Sequence, residues 1–342
     1  MHIPVQSLFA IAALASVVSA KSIHQQESHS SHSNTHKAPK APKGKAFDHF
    51  IQIWFENMDF ETVNNNSDFR SLVKEGILLD NYNAITHPSE PNYVAVAGGS
   101  NFGIDNDDYY NIPANISSIY DLLEKKGLTW KVYQEDIPSV GFTGYLEGEY
   151  VRKHNPAIIF DSVGLNETRR QNVVGDDQFQ KDVKSGNLPN WMFYTPNMLN
   201  DGHDTNVSYA GNWLKTFYKD SIKGKSIDKN AVILITFDEN KTYPSRNRVW
   251  SLLLGNIPKE LKGTTDNTFY THYSTLSTVE HNWDLGNLGR QDTNKTVSNV
   301  LEFTAKKLHY TNVHVPESEI PWNNNTIPGL LTGKSYNETH TK

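Results

Sequence analysis

The chain has 342 residues, a formal net charge of -6, a pI near 6.2 and no cysteine. That balance leaves no basic stripe to track a phosphate backbone, so no nucleic-acid partner is expected. The absence of thiols excludes cysteine nucleophiles, thiolate zinc sites and iron–sulfur clusters, so any metal must be held by oxygen and imidazole.

Residues Leu8 to Val18 form an apolar run that closes on Val18-Ser19-Ala20, a small-x-small cleavage pattern. The run is too short to span a bilayer and no second stretch of about 18 apolar residues follows it. Residues 1–20 therefore read as a secretory signal peptide, with no stable membrane insertion and an extracellular or cell-wall location. N-x-[ST] sequons at Asn65, Asn115, Asn166, Asn206, Asn240, Asn294, Asn324 and Asn337 suit a glycoprotein. Residues 21–46 hold Ser, His, Lys and Pro with almost nothing apolar, so a disordered linker is expected there.

From Phe47 the pattern becomes globular. Phe50 to Phe55 reads as a buried strand that stops at Glu56-Asn57. Residues 67–75 have helical spacing, Ile77 to Tyr82 reads as a strand, and Asn92 to Ala97 fits a short helix before Gly98-Gly99. Ile116 to Lys126 reads as a helix closed by Gly127, followed by a strand at 129–133. Then come a strand at Trp191 to Tyr194, a helix at Ser208 to Ser221 and the apolar run Ala231 to Phe237. A strand at Val249 to Leu254 and a helix at Tyr273 to Trp283 complete the order. Strands alternating with helices predict an α/β fold, a mainly parallel central sheet with helices on both faces. The catalytic domain is expected to span residues 47–320, and residues 321–342 to form a polar C-terminal tail.

In open α/β sheets the reactive groups gather beyond the carboxyl ends of the strands. Glu56-Asn57 and Asp238-Glu239 each follow an apolar run directly, and buried carboxylates there call for a hard cation. Ser89, in the turn Thr86-His87-Pro88-Ser89-Glu90-Pro91-Asn92, is either a capping serine or a nucleophile at the positive end of a helix. His154, His203 and His272 lie in polar contexts near predicted strand or helix ends, where each is structural or catalytic; Asp204 beside His203 is a helix cap or a site residue. No G-x-S-x-G elbow, P-loop or dinucleotide-binding glycine motif follows a strand.

Taken in order, Glu56-Asn57, HPSEPNYVAVAGG (87–99), YVRKHNP (150–156), NDGHD (200–204), TFDEN (236–240) and THYSTLSTVEHNW (271–283) resemble one phosphoesterase family. That family joins acid phosphatases and phospholipases C, within the alkaline-phosphatase-like superfamily, and the HPSEPNY form is closest to secreted fungal acid phosphatases. The resemblance covers roughly residues 47–310. It implies a metal-dependent phosphomonoesterase that forms a phosphoserine on Ser89, with small phosphorylated substrates. Glu56, Asn57, Asp238 and Glu239 then match ligands of one or two divalent ions, and Asn92 a phosphate-binding amide. His203 and His272 match active-site imidazoles, one of which would protonate the leaving group, and His87, His154 and Asp204 would contact substrate. A phosphodiesterase or phospholipase C of the same family, and a surface glycoprotein without catalysis, remain alternatives. A glycan on Asn240 would obstruct such a site, so that sequon is expected to stay unmodified.

Overall fold

β1 (His49–Phe55), β2 (Ile77–Leu79), β3 (Trp130–Gln134), β4 (Val173–Val174), β5 (Trp191–Thr195), β6 (Ala231–Phe237), β7 (Ser251–Gly255) and β8 (Thr264–Asp266) form one eight-stranded sheet in the order β8-β2-β7-β6-β1-β5-β3-β4. This is a computed structural model that describes residues 42–335. The expected signal segment and most of the expected linker lie outside the described residues. Pairing is parallel from β6 through β1, β5 and β3 to β4, and between β8 and β2. β7 runs antiparallel to both of its neighbours. The central strands β1, β5 and β6 are long apolar runs because both of their faces are covered.

Six helices pack their rings against this sheet: α1 (Ser67–Val73), α2 (Ser89–Gly98), α3 (Ile119–Lys125), α4 (Asp176–Ser185), α5 (Val207–Phe217) and α6 (His272–Trp283). Adjacent strand residues point to opposite faces, and β1 shows which helices lie where. The Phe55 ring meets Phe69 of α1 at 5.6 Å and Trp213 of α5 at 5.7 Å. Trp54, one residue earlier, meets Tyr93 of α2 at 5.0 Å and His272 of α6 at 4.2 Å. The helices therefore cover both faces, as expected.

Local chemistry sets the helix ends. Asn66 caps α1 by accepting from the Asp68 and Phe69 amides, and Asn206 caps α5 through Ser208 and Tyr209. Gly99 ends α2 in the left-handed region at φ 67°, where its N–H reaches the Ala95 carbonyl. α2 begins at Ser89 rather than at Asn92, because Pro91 is tolerated within a first helical turn. The strand expected over 77–82 stops at Leu79, and α5 gives way at Tyr218 to a wider helical turn.

Both expected edges of the domain shift. Gly44 to Ala46, assigned to the linker, bond to Asp48 and Asn282. Residues 321–335, assigned to the polar C-terminal tail, pack onto the body. Asn323 Nδ2 donates to the Ala84 carbonyl, Thr86 Oγ1 to the Asn325 carbonyl, and Leu331 is buried. Their polarity is real, but it is spent on backbone hydrogen bonds rather than on water.

Phe69 is fully buried and its ring packs edge-on against Phe55 and Trp250. Phe69→Ala should cost about 3–5 kcal/mol through lost burial and the cavity left behind. Urea unfolding would measure it, and a cost under about 1 kcal/mol would contradict this packing.

Candidate active site

The residues at the ends of β1 and β6 are tied together by the backbone. Asp238 N–H donates to the Phe55 carbonyl at 3.0 Å, and Glu56 N–H donates to the Asp201 carbonyl at 3.1 Å. Gly202 follows at φ 99°, and a Cβ there would meet Met58 Cε at 3.2 Å, so the loop can close on β1 only through glycine. Three separate chain segments thus bring carboxylates to one buried point.

Ser89, the first residue of α2, is 2% exposed. Its Oγ lies 3.1 Å from Glu56 Oε2, 3.5 Å from Asn57 Oδ1 and 3.4 Å from Glu239 Oε1. Asn57 Nδ2 donates to Glu239 Oε1 at 2.5 Å, and Asn57 N–H to Asp238 Oδ1 at 3.1 Å. Tyr93, one helical turn after Ser89, donates its hydroxyl to Glu56 Oε1 at 2.5 Å. On the far side of Glu56, His154 Nε2 is 3.2 Å from Oε1 and His154 Nδ1 is 3.5 Å from Asp201 Oδ2. Asp201, His154 and Tyr93 therefore extend the cluster beyond the four acidic and amide positions at the strand ends.

The imidazoles divide into separate environments. His87 Nδ1 pairs with Glu239 Oε2, and Tyr243 stacks over the ring at 3.8 Å. His203 is part-exposed at 31%, with Nδ1 2.6 Å from Asp204 Oδ1 and Nε2 3.3 Å from Lys153 Nζ. Its ring is 5.8 Å from that of His154. Lys153 Nζ also donates to Asp107 Oδ2 at 2.9 Å.

Two expectations do not fit this geometry. Asn92 is fully buried and its amide is spent. Oδ1 accepts from the Ile85 and Thr86 amides, and Nδ2 donates to the Thr86 and Pro88 carbonyls. It staples the turn that carries Ser89 and has no group left for a phosphate. His272 is also fully buried, lies against Trp54, and faces the Asp238 carbonyl at 2.6 Å through Nε2. Burial pushes its pKa down to about 3, so it does not carry a proton for a leaving group at mildly acidic pH. Its place is behind Asp238, holding the strand end.

Sequence reasoning passed over Asp201, Tyr93, Lys153 and Asp107. Asp201 stands inside the NDGHD stretch, and its signal was present beside the histidine that drew attention. Tyr93 lies four residues after Ser89, the spacing of one helical face. Lys153 and Asp107 carried no pattern of their own.

The donor set fits a divalent cation. Burial raises Glu56 and Asp201 well above the usual carboxylate range, and the charge of Asp238 adds to both shifts. Burial likewise pushes Asp238 up to about 6 and Glu239, with help from Asp238, up to about 10. Asp201 Oδ2 and Asp238 Oδ2 are buried and have no hydrogen-bond partner among the described residues. Glu56, His154 and Asp201 offer ligand atoms within 4.8 Å of one another. Buried carboxylates this close ionise together only with a cation among them, and oxygen with imidazole is a donor set that divalent ions accept.

Asn240 directly follows Glu239 and is buried. Its Nδ2 donates to the Thr242 carbonyl, Ser245 Oγ and the Arg246 carbonyl, so in the folded chain its amide is engaged.

The mainly parallel sheet collects a serine, carboxylates and imidazoles beyond its strand ends. A 2-O GAG sulfatase of known structure shares the fold at TM-score 0.50 and 9% identity, over 79% of this chain and 76% of that one. Residues 6–286 match the profile of the Phosphoesterase family. The chain is 47% identical over 299 residues to the phosphate-repressible acid phosphatase of Penicillium chrysogenum, covering 86% of this chain and 72% of that protein. It is 43% identical over 303 residues to an acid phosphatase of Aspergillus fumigatus, covering 86% and 67%. A phosphatidylinositol-3-phosphatase of Mycobacterium tuberculosis is 29% identical over 250 residues, covering 71% and 79%. The chain belongs to the Phosphoesterase family and is a phosphoric ester hydrolase.

Without a cation, a raised carboxyl stabilises the fold while it is protonated. That contribution is full below about pH 4 and is lost as pH rises through about 6 and on toward 10. Chelated protein should therefore melt at a lower temperature at about pH 8 than at about pH 5, and a divalent cation should restore the loss. Equal melting temperatures at the two pH values would contradict the crowding of these carboxylates.

Proposed function

We propose that the protein is a secreted, metal-dependent acid phosphatase that hydrolyses small phosphate monoesters through a phosphoserine on Ser89. The observation that carries this reading is the Ser89 hydroxyl, 3.1 Å from Glu56 Oε2 at the first residue of a ten-residue helix. Acid phosphatases among its relatives support the monoester class, and the apolar run Leu8 to Val18 supports secretion.

Glu56, Asn57, Asp201, Asp238, Glu239 and His154 would hold one or two divalent ions. When bound, such a cation supplies positive charge that favours the ionised carboxylates and offsets charge on a phosphoryl oxygen. The chain's own groups then divide the work. Glu56 Oε2 is placed to take the Ser89 proton as Oγ attacks phosphorus. The positive end of α2 lies beneath the phosphoryl group.

As the new P–Oγ bond forms, the bond from phosphorus to the leaving oxygen breaks. His203, steadied at Nδ1 by Asp204, gives that oxygen a proton. Water then attacks the phosphoserine, the P–Oγ bond breaks, and Ser89 recovers its proton. Tyr93 and His272 touch no reacting atom; they hold Glu56 and the Asp238 backbone in place.

Ser89→Ala should lower kcat on p-nitrophenyl phosphate by at least about a thousandfold, the scale seen when a covalent nucleophile is removed. Its metal content and melting temperature should stay close to those of the parent. Turnover within tenfold of the parent would refute Ser89 as nucleophile. Faster hydrolysis of bis-p-nitrophenyl phosphate than of the monoester by the parent enzyme would instead favour a phosphodiesterase.

A further inference from the structure

Lys153 is the middle residue of the tight turn Arg152–His154, whose last residue sends its ring into the carboxylate cluster. Its side chain is 11% exposed, unusually low for a lysine. The ammonium is anchored to the turn that carries Ser89. Nζ donates to Asp107 Oδ2 at 2.9 Å, while Asp107 Oδ1 accepts the N–H of Glu90, the residue after Ser89, at 3.0 Å. On its other side Nζ lies 3.3 Å from Nε2 of His203. The charge is therefore fixed between the first turn of α2 and the loop that carries the proton donor.

An ammonium has three N–H donors in a rotatable set. Asp107 takes one; the contact with His203 Nε2 takes none while that imidazole carries the proton for the leaving group, and no other acceptor reaches the ammonium among the described residues. A lysine remains charged at any pH this enzyme would work at, since its ordinary pKa is about 10.4. The charged side chains nearest Ser89 Oγ are the carboxylates Glu56 and Glu239, so a fixed cation beside them can distinguish one phosphate anion from another.

A phosphate monoester has three non-bridging oxygens and, above a second pKa of about 6, two charges. A diester carries a second carbon substituent on one of those oxygens, which leaves two non-bridging oxygens and a single charge. We propose that Lys153 makes the site selective for monoesters by giving a free N–H to the non-bridging oxygen that a diester lacks. This inference rests on the phosphatase reading and specifies its substrate class. Lys153 is a specificity residue here, and the serine chemistry does not require it. Arginine would keep the charge but spread it over a planar fork that does not fit the Asp107 and His203 anchors, so it should replace lysine only in part.

The test compares Lys153→Met and Lys153→Arg with the parent on p-nitrophenyl phosphate and bis-p-nitrophenyl phosphate. Binding of inorganic phosphate is read by calorimetry and metal content by elemental analysis. Lys153→Met should lower kcat/KM for the monoester by about 10- to 100-fold, the range for losing a charge-assisted hydrogen bond. The diester rate should stay within about threefold, phosphate binding should weaken in parallel, and metal content should not change. Lys153→Arg should recover part of the monoester loss.

Equal losses on both esters, or unchanged phosphate binding, would overturn the assignment. If Lys153→Met and Lys153→Arg both lose metal or fold, the lysine is structural and the proposal fails. Phosphate binding does not depend on turnover. A parent that binds phosphate through Lys153 yet hydrolyses neither ester would refute the phosphatase reading while leaving the anion site standing.

Discussion

Glu56 sits fully buried at the end of the central strand, with Asp201 and Asp238 close enough for their charges to act on it. In an interior of low dielectric, such a group must be neutralised by a proton or by a cation. Much of the surrounding architecture serves that one requirement. β6 lies beside β1 in register, so Asp238 follows Phe237 at the same height as Glu56 follows Phe55. The Asp201 loop is pinned to Glu56 by a backbone hydrogen bond, and Tyr93 and His154 approach the same carboxylate oxygen. The serine hydroxyl enters from the first turn of α2, over the opposite oxygen.

The same constraint explains the unusual polarity of the helix layer on this face. α6 buries nearly its whole length although several of its residues are Ser, Thr, His or Asn. Several of those groups are bonded internally: Thr271 caps the helix through the Tyr273 amide, Thr278 donates to the Ser274 carbonyl, and His272 faces the Asp238 carbonyl. A greasy helix would fill the space equally well but would leave the Asp238 carbonyl without a donor. Polar residues here maintain a strand end rather than a solvent face.

Groups written into strand periodicity were legible. Glu56-Asn57 and Asp238-Glu239 each end an apolar run, and an α/β sheet places such ends together, so their convergence followed from pattern alone. The sheet and its helical layers followed in the same way, with end shifts of a few residues at α2, α5 and β2. The turn alone left Ser89 between a helix cap and a nucleophile; the family resemblance singled it out. What failed was the reading of side chains whose partners are backbone groups. Asn92 looked like a free amide because its partners lie in the turn four to seven residues earlier, where periodicity says nothing. His272 opens a helix, a position that suggests solvent, yet Trp54 covers it. Asn323 and Asn325 made the segment after residue 320 read as a polar tail, and both are tied by hydrogen bonds to the Ala84 to Thr86 turn. Lys153 and Asp107 are joined across 46 residues, and no local signal foretells that pairing.

Crystals of the metal-loaded protein, with anomalous scattering collected at the metal edge, would test the central claim most directly. An anomalous peak is expected within ligand distance of Glu56 and of at least one of Asp238 and Asp201, about 2.0–2.6 Å from their oxygens. Strong metal binding with every anomalous peak remote from Glu56 would mean that the buried carboxylates are held by shared protons instead, and the proposed centre would not exist.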